Sequence, residues 1–350
     1  MKAILFCQNP YAFGIMAPIM EALRTEGDEF LWFLTENLRE SFPFPSEPHT
    51  FDIEEIVRYQ SDVIFCPGNE VPHYLRGVKT QIFHGLAGEK KGHFRIRHYF
   101  DLYLTQGPYF TRRFNRLKRR FRNFEVIETG WPKLDIYARN VDNFQSEKKE
   151  LLSGTGSTRI LLYAPTFSPS LTSAPFLAEE LRELAQDQTN LILIKFHDLM
   201  APDLIRKYRQ LGSEKKNIIL VEDPNIVKYL LMADLLISDT SSVVYEFLLL
   251  DKPVITFGSN SETKVWEDSR EYKGLSEMVA RNLKQDPYRE ERKQVIASYH
   301  PYQDGRSAYR MVEAVKDYIA RNGVPERRKL PILRRRKINR MFKRKKRNFL

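Results

Sequence analysis

Cysteine is nearly absent: Cys7 and Cys66 are the only two in 350 residues. That excludes a disulfide framework and a CxxC metal site. Long apolar runs are missing as well. The longest span only a few residues, far short of the ~20 needed to cross a bilayer. The opening residues, Met1 to Cys7 followed by Gln8-Asn9-Pro10, have too short an apolar core for a secretory signal, so a cytoplasmic protein is expected. Signature loops are lacking too. The first apolar run leads into Gln8-Asn-Pro-Tyr-Ala-Phe-Gly14 without GxGxxG, which argues against a dinucleotide oxidoreductase. No GxxxxGK[ST] loop, HExxH pair, GxSxG elbow or dense Asp/His cluster occurs, so no P-loop, no metal and no cofactor are expected.

Acidic residues are scarce in two stretches. The overall charge of +11 resembles a nucleic-acid signature until it is located. Arg327 to Leu350 holds 13 Lys/Arg and no acid; removing these from the 56 basic residues leaves 43 against 45 acidic ones. Lys90 to Arg122 carries 11 Lys/Arg against Asp101 alone. Two local patches on a near-neutral body point to a polyanionic partner.

What is present is short apolar runs alternating with longer amphipathic segments. Residues 2–7, 30–35, 62–65, 80–83, 102–105 and 124–127 read as strands, with a helix over 14–26 carrying Ile15, Ile19 and Leu23. The polar stretch from Asn140 to Thr158, with Ser153-Gly-Thr-Gly-Ser157, reads as a linker. The pattern then restarts at 159–164, 191–195, 217–221, 234–238 and 253–257. The expectation is α/β: two Rossmann-like domains facing a cleft, with a basic C-terminal tail. The boundaries expected are 1–145, a linker over 146–158, a second domain over 159–326 and the tail over 327–350.

In such sheets ligands bind beyond the carboxyl ends of strands, so the residues following each strand are the candidates. Those are Thr166 and Ser168, then His197, then Asp239-Thr240-Ser241-Ser242 opening a helix. A hydroxyl-rich turn at a helix start suits phosphate. It equally suits plain capping by Asp239, Thr240 or Ser241, which every helix needs. Glu246 one turn on suits ribose hydroxyls, or is an ordinary solvated helix residue. In the first half, a strand delivers His84-Gly85, followed by Gly88-Glu89-Lys90-Lys91-Gly92. A histidine titrating near ~6.5 can take a proton from an attacking hydroxyl, and the lysines suit a negative acceptor. The plain alternative is a loop histidine with no chemistry. His49, His73, His93, His98 and His300 lack a comparable setting.

Taken in order, the motifs resemble a family. Phe83-His-Gly-Leu-Ala-Gly-Glu-Lys-Lys-Gly92 resembles its WHG…KK loop, followed by Phe100-Asp-Leu-Tyr-Leu-Thr-Gln106 with Tyr109-Phe-Thr111. Thr129-Gly-Trp-Pro-Lys-Leu-Asp135, Leu162-Tyr-Ala-Pro-Thr-Phe167, Ile194-Lys-Phe-His197, Leu236-Ile-Ser-Asp-Thr-Ser-Ser-Val-Val-Tyr-Glu-Phe247, Lys252-Pro-Val-Ile255 and Asp304-Gly305 complete the set. These are similar to the CDP-glycerol glycerophosphotransferases that build teichoic-acid-like polymers, a GT-B-fold family, over roughly residues 75–310. The resemblance implies transfer of glycerol phosphate from CDP-glycerol to an acceptor hydroxyl, with release of CMP. By position, His84 would be the general base and His197 would contact or protonate the donor pyrophosphate. Thr166, Ser168, Ser241 and Ser242 would bind its oxygens and Glu246 the ribose. Gly85, Lys90, Lys91 and Lys133 would contact acceptor or phosphate. His197-Asp198, Asp239-Thr240-Ser241-Ser242 and Lys133-Leu134-Asp135 depart from the family's His-Pro, Asp-Tyr-Ser-Ser and Arg-Asn-Asp. A UDP-sugar glycosyltransferase or UDP-sugar 2-epimerase of the same fold therefore stays open.

The tail mixes its cations with Ile332, Leu333, Ile338, Met341, Phe342, Phe349 and Leu350. Ile338, Met341 and Phe342 share a helical face, which suits a basic amphipathic helix on an anionic membrane surface bearing a lipid-linked or polymeric acceptor. The expected location is the inner face of the cell membrane. Phe110, Phe114, Phe121 and Phe124 interleave the other cluster; aromatic-plus-basic spacing can stack bases but more often packs a core under a basic face. No specific nucleic acid is expected.

Overall fold

The computed structural model describes residues 1–86, 92–140, 142–223, 226–262 and 264–342. The chain divides into two compact units, Met1–Ala138 with Ser298–Leu350, and Arg139–Ala297. Each is α/β.

In the first unit the described strands are β1 (Lys2–Cys7), β2 (Glu29–Leu34), β3 (His49–Thr50), β4 (Val63–Cys66), β5 (Val78–Gln81), β6 (Leu102–Thr105) and β7 (Glu125–Glu128). They pair in parallel in the order β3-β2-β1-β4-β5-β6-β7. Runs such as Ala3-Ile-Leu-Phe-Cys7 are apolar throughout because parallel strands are covered on both faces. Strand order reverses direction between β1 and β4, which opens a crevice at their carboxyl ends.

Residues 298–326, expected in the second domain, belong to this first unit. The Asp135 carboxylate accepts from the backbone N–H of Ser307 at 2.9 Å and of Ala308 at 2.8 Å, satisfying the start of helix Ser307–Asn322. Arg310 Nε donates to the Thr129 carbonyl at 2.8 Å. Gly130, at φ +88°, leaves room for Ser307, whose side chain any Cβ there would strike. Gly107 does the same for the Tyr299 carbonyl. Asp304 pairs with the same Arg310 at 2.7 Å, so motif residues Thr129, Gly130, Asp135 and Asp304 build a structural seam.

The basic tail is also part of this unit. Arg328 donates to the carbonyls of His98 at 2.6 Å and Asn123 at 2.7 Å and pairs with Asp101. Helix Ile332–Met341 turns Ile338 into the core, and Phe342 follows it, edge-on to Phe6 at 5.4 Å. The shared membrane-facing stripe expected of Ile338, Met341 and Phe342 is therefore corrected. Two of its members cover the protein's own core, while Met341 is 44% exposed and Ile332 and Leu333 are 70% and 78% exposed. Phe110, Phe114 and Phe124 are likewise core residues, so they offer no stacking platform to a base.

In the second unit the described strands are β8 (Arg159–Tyr163), β9 (Asn190–Ile194), β10 (Ile218–Leu220), β11 (Leu235–Ser238), β12 (Val254–Phe257) and β13 (Glu267–Ser269). They too pair in parallel, in the order β10-β9-β8-β11-β12-β13. Its crevice opens between β8 and β11. Where a linker was expected over 146–158, the chain forms helix Gln145–Thr155. Ion pairs hold it to this unit: Lys148 with Asp234 at 2.6 Å and Glu147 with Lys228 at 2.8 Å. A helix held by charges shows no apolar period, so its sequence reads as polar loop.

Candidate active site

The second unit gathers the expected donor residues on three neighbouring loops at one sheet edge. Thr166 and Ser168 follow β8, His197 follows β9, and Ser241 and Ser242 follow β11. Asp239 ties two of these loops together. One carboxylate oxygen accepts from Thr166 N–H at 2.8 Å; the other accepts from Ser173 N–H at 2.8 Å and its hydroxyl at 3.0 Å. Burial pushes its pKa up to about 6, outweighing the three hydrogen bonds, which favour the charged form.

Capping, the plain reading of this turn, falls mainly away. Asp239 is committed to the β8 loop. Thr240 donates to the Gly258 carbonyl at 3.4 Å and accepts from Asn260 N–H at 3.2 Å. Only Ser241 reaches back to the helix start, accepting from Val243 N–H at 3.4 Å. Ser242, exposed at the N-cap position of helix Val243–Leu248, makes no side-chain cap bond. Glu246 is buried, which corrects its reading as a solvated helix residue.

His197 is exposed and lies against Phe167, ring centroids 4.5 Å apart. Its Nδ1 accepts from Leu199 N–H at 3.1 Å, so the proton of the neutral ring sits on Nε2, which is a donor.

In the first unit His84 has the opposite tautomer. Its Nδ1 donates to the Pro67 carbonyl, beyond β4, at 2.9 Å. The outer Nε2 is left with a lone pair, as a base requires. The Tyr11 ring, from the loop after β1, lies 5.2 Å away. Gly85 is half-buried, its carbonyl accepting from Gln106 Nε2 at 3.0 Å. Lys133 holds its ammonium 5.6 Å from the Trp131 ring centroid. Lys90 and Lys91 lie outside the described residues. His93 is half-buried and His300 buried, and desolvation holds both down to about 4, which suits packing rather than proton transfer.

Sequence reasoning missed the bridging role of Asp239 and the ring contacts of Tyr11 and Phe167. Position after a strand was the available signal for each. Lys252, part of a sequence motif, is structural: its ammonium donates to the carbonyls of Leu231 and Ala233, each at 2.7 Å, at the end of helix Ile226–Met232.

Comparison with known proteins adds an independent line. A family model described as CDP-Glycerol:Poly(glycerophosphate) glycerophosphotransferase matches residues 81–317. The chain is 34% identical over 141 residues to the teichoic acid glycerol-phosphate primase of Bacillus spizizenii, covering 39% of this chain and 34% of that protein. It is 26% identical over 286 residues to the teichoic acid ribitol-phosphate polymerase TarK of Staphylococcus aureus, covering 72% and 53%. The chain thus spans only a third to about half of the curated relatives it matches. A structure of the wall teichoic acid polymerase TagF soaked with CDPG superposes with a TM-score of 0.63 at 18% identity, covering 91% of this chain and 89% of that one. A putative UDP-N-acetylglucosamine 2-epimerase from Listeria monocytogenes gives 0.67 at 14%, covering 95% and 99%. At those identities the structures show the fold: two Rossmann-like units of the GT-B type.

Replacing Asp239 with Asn tests the loop tie. A carboxyl whose folded pKa lies above its unfolded value holds its proton more tightly when folded, so its contribution falls as pH rises. The stability of wild type over Asp239→Asn, from denaturant midpoints, should shrink by on the order of 2 kcal/mol between pH ~4 and ~6. A pH-independent difference contradicts the elevated carboxyl.

Proposed function

The chain belongs to the CDP-glycerol:poly(glycerophosphate) glycerophosphotransferase family, and from that premise we propose that it moves glycerol phosphate, or a similar polyol phosphate, from a CDP-linked donor to an acceptor hydroxyl. The observation that carries this reading is the pair of histidine tautomers. His84 Nε2 accepts the hydroxyl proton; the oxygen attacks the phosphorus bearing the polyol; the bond from that phosphorus to the bridging oxygen breaks; CMP leaves with the electron pair. His197 Nε2–H donates to the pyrophosphate, with Thr166, Ser168, Ser241 and Ser242 as further donors to its oxygens. Fixed donors of this kind neutralise charge as it shifts onto the leaving group. Glu246 binds ribose hydroxyls. Gly85, Lys90, Lys91 and Lys133 contact the acceptor or its phosphates.

Calorimetry with CDP-glycerol and with a UDP-sugar checks the donor. We expect the cytidine compound to bind and the uridine compound not to, and His84→Ala to bind it as wild type does while losing turnover. Preference for uridine would favour the sugar-nucleotide reading. Retained turnover would remove His84 from the chemistry.

The acceptor of this reading is lipid-linked or polymeric, used at the cytoplasmic face of the membrane. No helix among the described residues is long and apolar enough to cross a bilayer. Support comes instead from the exposed pair Ile332 and Leu333 running into Arg334, Arg335 and Arg336. Truncating the tail would also remove Ile338 and Phe342 from the core, so neutralisation is the cleaner test. Changing the three arginines to Gln should weaken binding to anionic vesicles at low salt by up to about 100-fold, at roughly 1 kcal/mol each. Unchanged sedimentation contradicts docking through this helix.

A further inference from the structure

The turn that carries His84 is strained and gripped from both sides. Phe83 sits at φ +61°, a left-handed conformation that costs a bulky residue energy. It stays there because its neighbours hold it. Its ring stacks on His93 at 5.1 Å. Its carbonyl accepts from Trp131 Nε1 at 3.4 Å, and the Trp131 N–H is fixed in turn by His300 Nε2 at 2.9 Å. On the far side of His84, the Gly85 carbonyl accepts from Gln106 Nε2 at 3.0 Å. Gln106 is fully buried, and its amide oxygen has no hydrogen-bond partner among the described residues. A buried amide that leaves its oxygen unmet while its N–H serves one carbonyl is oriented for that carbonyl. The acceptor of the His84 ring is also fixed, because Gln81 Nε2 donates to the same Pro67 carbonyl at 3.3 Å.

We propose that Gln106 is a positioning residue for His84, acting through the Gly85 carbonyl, with Trp131 gripping the Phe83 carbonyl on the other side. Together they hold the strained turn, so that Nδ1–H stays on Pro67 and the Nε2 lone pair keeps its aim. Released at either carbonyl, the turn relaxes out of the left-handed region and the imidazole swings away. The inference rests on His84 being the general base.

Gln106→Met keeps the volume and removes the donor; Trp131→Phe keeps an aromatic ring and removes Nε1–H. For Gln106→Met, kcat should fall by on the order of 10- to 100-fold with donor KM changed less than about twofold, the pattern of a misplaced catalytic group. Nitrogen NMR of the His84 ring should show the Nδ1–H tautomer in wild type and a mixture in the variant, a change that loss of packing alone does not produce. Wild-type kcat with an unmixed tautomer overturns the inference. Should Gln106→Met fail to fold, Trp131→Phe decides it by the same two readings, with a smaller fall in kcat expected. His84→Ala separates the two levels. If it keeps turnover, the general-base reading falls; if it is inactive while both other variants are normal, only the positioning falls.

Discussion

A buried carboxylate holds two loops at the carboxyl edge of the second unit's sheet together. Loops leaving the carboxyl edge of a parallel sheet are joined to different strands, and nothing in the sheet's own hydrogen bonding fixes one against another. Asp239 does so by accepting from Thr166 and Ser173, on the far side of the crevice from its own strand. With that tie made, the loop carrying Thr166 and Ser168 is fixed against the loop carrying Ser241 and Ser242. Without it the two loops are independent. Burial sharpens the dependence, because an unmet N–H in that environment costs far more than in water.

The same logic separates the two histidines. A neutral imidazole is donor and acceptor at once, and its inner nitrogen decides which function faces outward. A carbonyl partner leaves His84 Nε2 an acceptor; a backbone N–H partner leaves His197 Nε2 a donor. Neither assignment is a property of histidine as a residue type. For His84 it follows from the strand order, since Pro67 lies beyond β4, the neighbour of β5; for His197 it is local, since Leu199 stands two residues on in the same loop.

This explains how far the sequence could be read. Strands buried on both faces announce themselves as apolar runs, so β1, β8 and β11 and the residues after them were legible. β3, two residues long, and β13, Glu267-Asp268-Ser269, carry no such signal. Helix Gln145–Thr155 looked like a linker because its ion pairs replace an apolar stripe. The tail's apolar residues were visible, but the surface they cover was not: Phe342 finds Phe6, at the other end of the chain. Glu246 falls on its helix as expected, and its burial removes the solvated alternative, which periodicity alone cannot settle on a short helix at a sheet edge. For Asp239 the sequence offers only local readings, a cap or a phosphate turn, because its actual partners lie 73 and 66 residues away.

Transfer of a polyol phosphate and transfer of a sugar or polyol alone differ in which bond of the donor breaks. Phosphorus NMR of a reaction containing CDP-glycerol and a lipid-linked polyol-phosphate acceptor distinguishes the products directly. Transfer of the polyol phosphate predicts CMP as the nucleotide released and a new phosphodiester on the acceptor. Release of CDP instead, with no phosphorus passing to the acceptor, would contradict it.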